Sequence, residues 1–296
     1  MTELIQVSKG VYVLSGPVNT GLILGETGLI VVDTGFDAQW AKLIIKCAEK
    51  LERPVSAVIN THAHVDHVGG NHYLVQQTGA KVYAHVLEEF RIKNPVMGAV
   101  TLFGGAKPVD ELAAMFHQVA PSQVDGLLTP GKISLDGIDL EIVPLFGHTH
   151  GQCGVVREGC LFFSDSLYVG RTLKGHGIPY LVDLGLALET LKYLGQSAFE
   201  AYVPGHGRVR ESIDHFIPTN FELLDRLKAD ISDELKQPAP ASRIIHVLVE
   251  RYQIAVRSVS HYYMIRATVH AFLSYLHTTG QVGMTHREGE MLWYSI

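Results

Sequence analysis

From its start the chain sets short apolar runs against polar breaks. Ile5-Gln6-Val7, Val11 to Leu14, Gly21 to Leu24 and Leu29 to Val32 are separated by Lys9-Gly10, Pro17 to Thr20 and Glu26-Thr27-Gly28, a pattern that predicts a meander of strands. The spacing turns helical over Ala38 to Leu51, returns to a strand over Pro54 to Asn60, and predicts a helix over Asn71 to Thr78 and a strand over Lys81 to Ala84. Two longer apolar runs, Ile133 to Val143 and Val155 to Phe163, break at Asp136-Gly137 and Glu158-Gly159, each a hairpin signal. A helix over Leu186 to Leu194, with Gly195 just past its end, and a strand over Phe199 to Val203 complete this part.

Two regions depart from the alternation. Glu88 to Pro121 is longer than an ordinary connection, and insertions of this length commonly cover a site. Phe103, Met115 and Phe116 within it are candidate substrate contacts or anchors of the insertion to the core. After about Glu211, Phe221, Leu224, Leu227, Ile231 and Leu235 recur at helical spacing until Pro238-Ala239-Pro240. Ser242 is placed to cap a second helix bearing Ile245, Leu248 and Tyr252. A third runs over Tyr262 to His277 and ends at Gly280, and Val282 to Met284 and Met291 to Tyr294 form a hairpin around Thr285 to Glu290. Helices followed by a hairpin resemble a small winged-helix module, so the expected division is residues 1–210 and 211–296.

Composition narrows the class. At 296 residues and 47% hydrophobic content, the chain can bury one large domain and an appendage. A net charge of -6 gives no general attraction for nucleic acid or anionic lipid. Residues 237–296 carry five arginines against three glutamates and no lysine, too little for a basic stripe; the C-terminal module is expected to dock on the rest of the chain or on a second copy. Three cysteines, Cys47, Cys153 and Cys160, form an odd and sparse set that suits a reducing compartment. The first residues lack a basic segment followed by an apolar one, and no apolar stretch reaches the roughly 18 residues of a membrane span. A cytoplasmic protein acting on a small molecule is expected.

The chemistry is concentrated in Thr61-His62-Ala63-His64-Val65-Asp66-His67-Val68-Gly69-Gly70, three histidines and an aspartate within six positions after a strand. Neutral imidazole and carboxylate suit zinc and its neighbours, and a short strand-to-helix turn aims alternate side chains at two points. His62 and His64 can face one ion, and Asp66 and His67 a second.

This cluster resembles the HxHxDH signature of the metallo-β-lactamase superfamily, and three further motifs follow in that family's order. Gly147-His148-Thr149-His150-Gly151 resembles its GHTxG turn, Phe162-Phe163-Ser164-Asp165-Ser166 its FxGD turn with Ser164 where glycine is usual, and Pro204-Gly205-His206-Gly207 its final PGHG element. The resemblance implies an αββα sandwich of two mixed sheets with external helices. It also implies a first metal held by His62, His64 and His148, a second held by Asp66, His67 and His206, and Asp165 bridging both. Two such ions, about 3.5 to 4 Å apart, lower the pKa of a shared water and polarise the bond to be broken. Zinc is expected, with iron or manganese as alternatives. Asp66 can also accept a proton, and Asp33 matches the family's aspartate that hydrogen-bonds a ligand imidazole. His150 reads as support for the ligands or as pocket lining, and Tyr168 as a donor to a substrate carbonyl or a packing residue. His72, His85, His117, His176 and the six histidines after His206 match no motif.

The bond broken is less legible. Aspartate at 165 departs from the cysteine of one zinc β-lactamase subclass, which favours the broader hydrolases, such as thioesterases of the glyoxalase II kind, lactonases and phosphodiesterases. The glutathione site of the glyoxalase II proteins is not found, and Ala63 and Val65 stand where the quorum-sensing lactonases have Leu and Phe. A small ester, thioester or lactone is the first expectation and a phosphodiester the second. Two other classes share the scaffold: an iron-dependent oxidoreductase of the sulfur dioxygenase kind, and a binding protein without turnover.

Overall fold

The meander of short apolar runs forms the antiparallel half of a seven-stranded sheet in the computed structural model, which describes residues 2–169 and 177–296. Strands β1 (Glu3–Ser8), β2 (Val11–Ser15), β3 (Thr20–Leu24) and β4 (Leu29–Val32) are antiparallel neighbours. Strands β5 (Val55–Asn60), β6 (Lys81–His85) and β7 (Gly126–Leu128) extend the sheet in parallel from β4. A second sheet has the order β12-β11-β10-β9-β8, built from β8 (Gly131–Leu135), β9 (Ile138–Pro144), β10 (Cys153–Arg157), β11 (Cys160–Ser164) and β12 (Ala201–Pro204). Only its β11–β12 pair is parallel. Parallel neighbours need crossovers, which here are helical: α1 (Ala38–Lys50), then α2 (Val65–Val68) and α3 (Asn71–Thr78) for the first sheet, and α7 (Leu184–Gln196) for the second.

Alternation along each strand sorts the core into layers. Ile30 and Val32 of β4, Ala57 and Ile59 of β5, and Cys160 and Phe162 of β11 meet between the sheets. Their neighbours point the other way: Leu29, Val31 and Val58 pack under Trp40, Ile44 and Leu74, and Leu161 and Phe163 pack under Leu191 and Leu194. The result is the expected αββα sandwich of two mixed sheets with helices outside.

Both predicted hairpin turns form with consecutive left-handed residues, Asp136 (φ 47°) and Gly137 (φ 72°), and Glu158 (φ 46°) and Gly159 (φ 69°). Such turns match the twist of the strands they join. Elsewhere the elements depart from the sequence pattern. Gly195 lies inside the last turn of α7 rather than past it, because the chain leaves in extended conformation at Ser197 and needs no glycine stop. The 88–121 region is helical for much of its length, with α4 (Val86–Lys93), α5 (Met97–Leu102) and α6 (Asp110–His117) preceding β7.

The C-terminal module contains α8 (Phe216–Glu234), α9 (Ala241–Arg251), α10 (Val259–Thr278) and the hairpin β13 (Val282–Arg287) and β14 (Glu290–Ser295). Ser242 is not the cap of α9; the helix starts one residue earlier, after Pro240, without a side-chain cap. The closing turn is only Glu288-Gly289, both at positive φ, so the strands reach into the predicted loop. Leu227, Ile231, Leu248, Val269 and Phe272 join Leu161, Phe163 and Leu191 in one continuous core, and α10 touches α5, α6 and α7. The three cysteines are free and buried, and burial pushes the Cys160 thiol up to about 12. Among the described residues no helix is long and apolar enough to cross a membrane. His176 lies outside the described residues.

Candidate metal centre

The motif residues converge at the carboxyl ends of the strands. His62 and His64 follow β5, His148 follows β9, Asp165 follows β11 and His206 follows β12. Asp66 and His67 sit on the single turn of α2, where His67 N donates to His64 O at 2.9 Å. His62 Nε2 and His148 Nε2 lie 2.9 and 3.0 Å from His64 Nδ1. A second group is formed by Asp66, His67 and His206, with His206 Nε2 at 3.2 Å and His67 Nε2 at 3.8 Å from Asp66 Oδ2. Asp165 Oδ2 stands 3.6 Å from His148 Nε2, 3.6 Å from His67 Nε2 and 3.5 Å from His206 Nε2, and so touches both groups.

Four of the five imidazoles are oriented through their other nitrogen, as ligand histidines are. His67 Nδ1 meets Asp33 Oδ2 at 2.8 Å, His148 Nδ1 meets Tyr180 O at 3.1 Å, and His206 Nδ1 meets Pro17 O at 2.8 Å. His62 Nδ1 faces the Thr61 hydroxyl at 3.1 Å and the Ser164 hydroxyl at 3.5 Å. Ser164 adopts φ 52°, the conformation that makes glycine usual here, and its hydroxyl also bonds Thr61 Oγ1 at 2.8 Å. Asp33 is near enough to His62 and His67 to count geometrically as a ligand. Its oxygens already accept from Thr61 N, Thr61 Oγ1 and His67 Nδ1, so it acts as a support.

Electrostatics divides the groups. Burial, reinforced by neighbouring imidazoles, holds His62 and His64 well below the ordinary histidine value, and burial also lowers His148. Those three are neutral, with lone pairs free to bind a cation. For Asp66 burial acts upward, but the charge of His67 and the hydrogen bond from His206 bring it down to about 2. The reverse holds for His206: burial acts downward, and the bonds to Asp165 and Asp66 push it up to about 10. His67 is likewise raised, by Asp33, Asp165 and Asp66 against its burial.

These residues fit divalent metal ions. His67 Nε2 is fully buried and has no hydrogen-bond partner, a costly state that a cation at this point removes. Space for the carboxylate is kept by Gly205, where a Cβ would come within 2.1 Å of Asp165 Oδ1 and 2.9 Å of His67 Cε1.

The other predicted residues are placed as follows. His150 is exposed. Its expected supporting place is taken by Glu88, which is 0% exposed and accepts from Ala63 N at 3.0 Å, Thr149 Oγ1 at 2.7 Å, Gly151 N at 2.9 Å and Arg91 at 2.9 Å. Phe103 packs on Tyr263 of α10, with ring centroids 5.3 Å apart, and anchors the insertion rather than lining the cavity beside the ligands. Tyr168 does line that cavity, but its hydroxyl donates to Tyr180 O at 2.7 Å. Met115 and Phe116 are in the cavity wall, as are Arg91, Tyr180 and His261, to which the sequence pattern assigns no role. The available signal for Glu88 was its position just after a parallel strand, as for Asp33 after β4 and His62 after β5.

A four-layer sandwich with a histidine-rich site at its strand ends defines an αββα protein built to hold metal. Residues 14–206 match the model of the metallo-beta-lactamase superfamily, and the chain belongs to that superfamily, whose members are mainly hydrolytic metalloenzymes. The atrochrysone carboxyl ACP thioesterase of Aspergillus fumigatus is 25% identical over 216 residues, covering 72% of this chain and 58% of that protein. This chain thus spans little more than half of that relative's length. A type 2 metallo-beta-lactamase of Bacillus cereus is 28% identical over 195 residues, 64% of this chain and 68% of the relative. Two solved structures cover nearly the whole chain. The metallo-beta-lactamase family protein of Thermus thermophilus has a TM-score of 0.75 at 20% identity, over 98% of this chain and 100% of its own. The beta-lactamase domain protein of Burkholderia ambifaria has 0.74 at 18%, over 99% and 94%. These identities speak to the fold alone, and the likeness includes the C-terminal module.

Proposed function

We propose that this protein is a two-metal hydrolase of a small ester, thioester or lactone. The observation that carries the reading is Asp165 Oδ2, which lies 3.5 to 3.6 Å from ligand nitrogens of both groups. Two divalent ions, zinc being the choice that suits imidazole with carboxylate, would supply Lewis acidity and a water acidic enough to react near neutral pH.

The chain's own residues do the rest. His62, His64 and His148 are held neutral and present lone pairs without first losing protons. Asp66, ionised at neutral pH, is placed to orient the attacking water or to accept its proton. The bond from His148 Nδ1 to Tyr180 O fixes the ligand tautomer, and Tyr168 holds the same carbonyl from the other side. Helices α5, α6 and α10 wall the cavity and keep bulk water from the acyl group. The thioesterase among the relatives favours acyl transfer to water over phosphodiester cleavage. Three buried free thiols suit the reducing cytoplasm, where we place the protein.

The test is a panel of esters, thioesters, lactones and phosphodiesters run on protein of measured metal content. Two equivalents of metal and turnover of an acyl substrate are expected, with turnover abolished in His64→Ala and Asp165→Ala of retained fold. Full activity at one equivalent would remove the two-metal reading, and turnover of phosphodiesters alone would remove the acyl one.

A further inference from the structure

Beside the ligands lies a cavity of about 250 Å³ whose lining is mostly apolar away from them. His64, Asp66, His148, Asp165 and His206 form its ligand end. The apolar part of the remaining wall includes Leu102 of α5, Met115 and Phe116 of α6, Ile178, and Met264 and Ile265 of α10. Polar side chains within this wall, that of Tyr180 apart, are engaged with the protein. Arg91 donates to Glu88 at 2.9 Å, Tyr168 to Tyr180 O at 2.7 Å, and the Thr268 hydroxyl to Pro179 O at 3.1 Å while it accepts from Leu181 N at 3.2 Å. His261 Nδ1 accepts from Arg257 N at 3.4 Å. An occupant of this space therefore meets mostly methyl, methylene and ring carbon.

We propose that this cavity is an acyl-chain pocket and that the substrate is an ester or thioester of a medium-chain acyl group; this deepens the hydrolase reading and rests on it for the chemistry. An apolar cavity of about 150 Å³ is known to accept benzene, so one of this size holds a chain of roughly eight to ten carbons. Exposure sets the orientation. His206 is 32% exposed and Asp66 22%, with Asp165 at 14% and His64 half-buried, whereas His148 is 8% and His62 is 0% exposed. A bulky alcohol or thiol is accommodated on the His206 side, and the acyl chain extends under α10. Water adds its oxygen to the acyl carbon, the C–O or C–S bond breaks, the departing alcohol or thiol takes a proton, and the carboxylic acid is left in the pocket.

The experiment uses the full chain loaded with zinc and p-nitrophenyl esters of acyl groups from two to fourteen carbons. Burial of each methylene is worth about a four-fold gain, so kcat/KM is expected to climb by up to that factor per carbon, peak near eight to ten, and fall beyond. Met264→Trp, which fills the wall, is expected to reduce the ratio of octanoyl to acetyl turnover more than ten-fold and to move the peak to shorter chains. Calorimetric titration with decanoate and with acetate separates the pocket from the reaction. Decanoate bound at least a hundred-fold more tightly than acetate, and lost in Met264→Trp, supports the pocket even when no ester is hydrolysed, in which case the hydrolase reading fails alone. Hydrolysis indifferent to acyl length, or dependent on the alcohol chain instead, overturns the pocket and leaves the hydrolase reading standing. Equal affinity for decanoate and acetate overturns it as well.

Discussion

The Thr149 hydroxyl donates to Glu88 Oε1 at 2.7 Å, and through this carboxylate the turn that carries His148 is tied to the turn that carries His62 and His64. Four donors converge on Glu88, from Ala63, Thr149, Gly151 and Arg91. Glu88→Gln replaces one acceptor oxygen with an NH2 group facing donors. It is expected to cost about 2 to 3 kcal/mol of stability, because a buried site is left with mismatched partners. Loss of ligand support should also weaken metal binding by about 10- to 100-fold. Thermal unfolding and competitive chelation check the two effects; wild-type metal affinity in the variant would remove Glu88 from the ligand scaffold.

Asp33 and His150 make a contrasting pair. Asp33 meets His67 Nδ1 at 2.8 Å, whereas His150 is exposed. Asp33→Asn keeps the shape and tolerates the positive φ of 59°, yet removes the charge that raises His67. A loss of about 10- to 100-fold in metal affinity is expected for Asp33→Asn. His150→Ala should leave affinity and stability at wild-type values. The same chelator titration measures both, and an effect of His150→Ala as large as that of Asp33→Asn would contradict the placement.

Gly205→Ala should disable the centre with little effect on the sheets. Its Cβ would stand 2.1 Å from Asp165 Oδ1, so the carboxylate shared by both groups must move. Metal content is expected to fall below two equivalents, and hydrolysis by at least about 100-fold, since displacements near 1 Å carry such penalties. Elemental analysis of the purified variant, with circular dichroism as the control for fold, decides the matter.

Loading with metal should release protons. In the metal-free protein His206 sits at about 10 and His67 is raised, so both are protonated at pH 7, while His62, His64 and His148 are neutral. Release of about two protons per loaded protein is expected at pH 7, declining as the pH approaches 10. Calorimetry in buffers of different ionisation enthalpy counts them, and a count near zero would contradict the protonation scheme. The same shifts govern stability without metal. The raised His206 stabilises fully below 6.5, and this contribution is lost as the pH rises through about 10. The lowered Asp66 stabilises above 3.8, and its contribution is lost as the pH falls through about 2. The lowered His62, His64 and His148 act the other way and lose stability as the pH falls below 6.5, so metal-free protein should melt highest near pH 6.5.

Alternation of apolar residues was enough to read the strands, since a two-residue period is imposed by the pleat whatever the strand packs against. The motif ligands were legible for a related reason: His62, His64, Asp66 and His67 are local in sequence, and each later ligand directly follows an apolar strand. Phe103 and His150 were left with two readings each because an aromatic or imidazole side chain carries no local mark of the direction it faces. Glu88, Tyr180 and His261 carried no motif, and they reach the site only because β6, the segment before α7, and α10 are brought to one end of the sandwich.

By itself, the sequence determined the layered fold, through short-range periodicity, and the family, through four motifs whose resemblance implies a set of metal-ligand residues. Only the tertiary structure decided that Glu88 ties the ligand turns together, and that α5, α6 and α10, distant in sequence, wall one mostly apolar cavity beside the ligands. The physical reason is that support of a ligand and the shape of a cavity are relations between side chains on different elements. Packing of the sheets and of α10 creates those relations, and no local pattern encodes them.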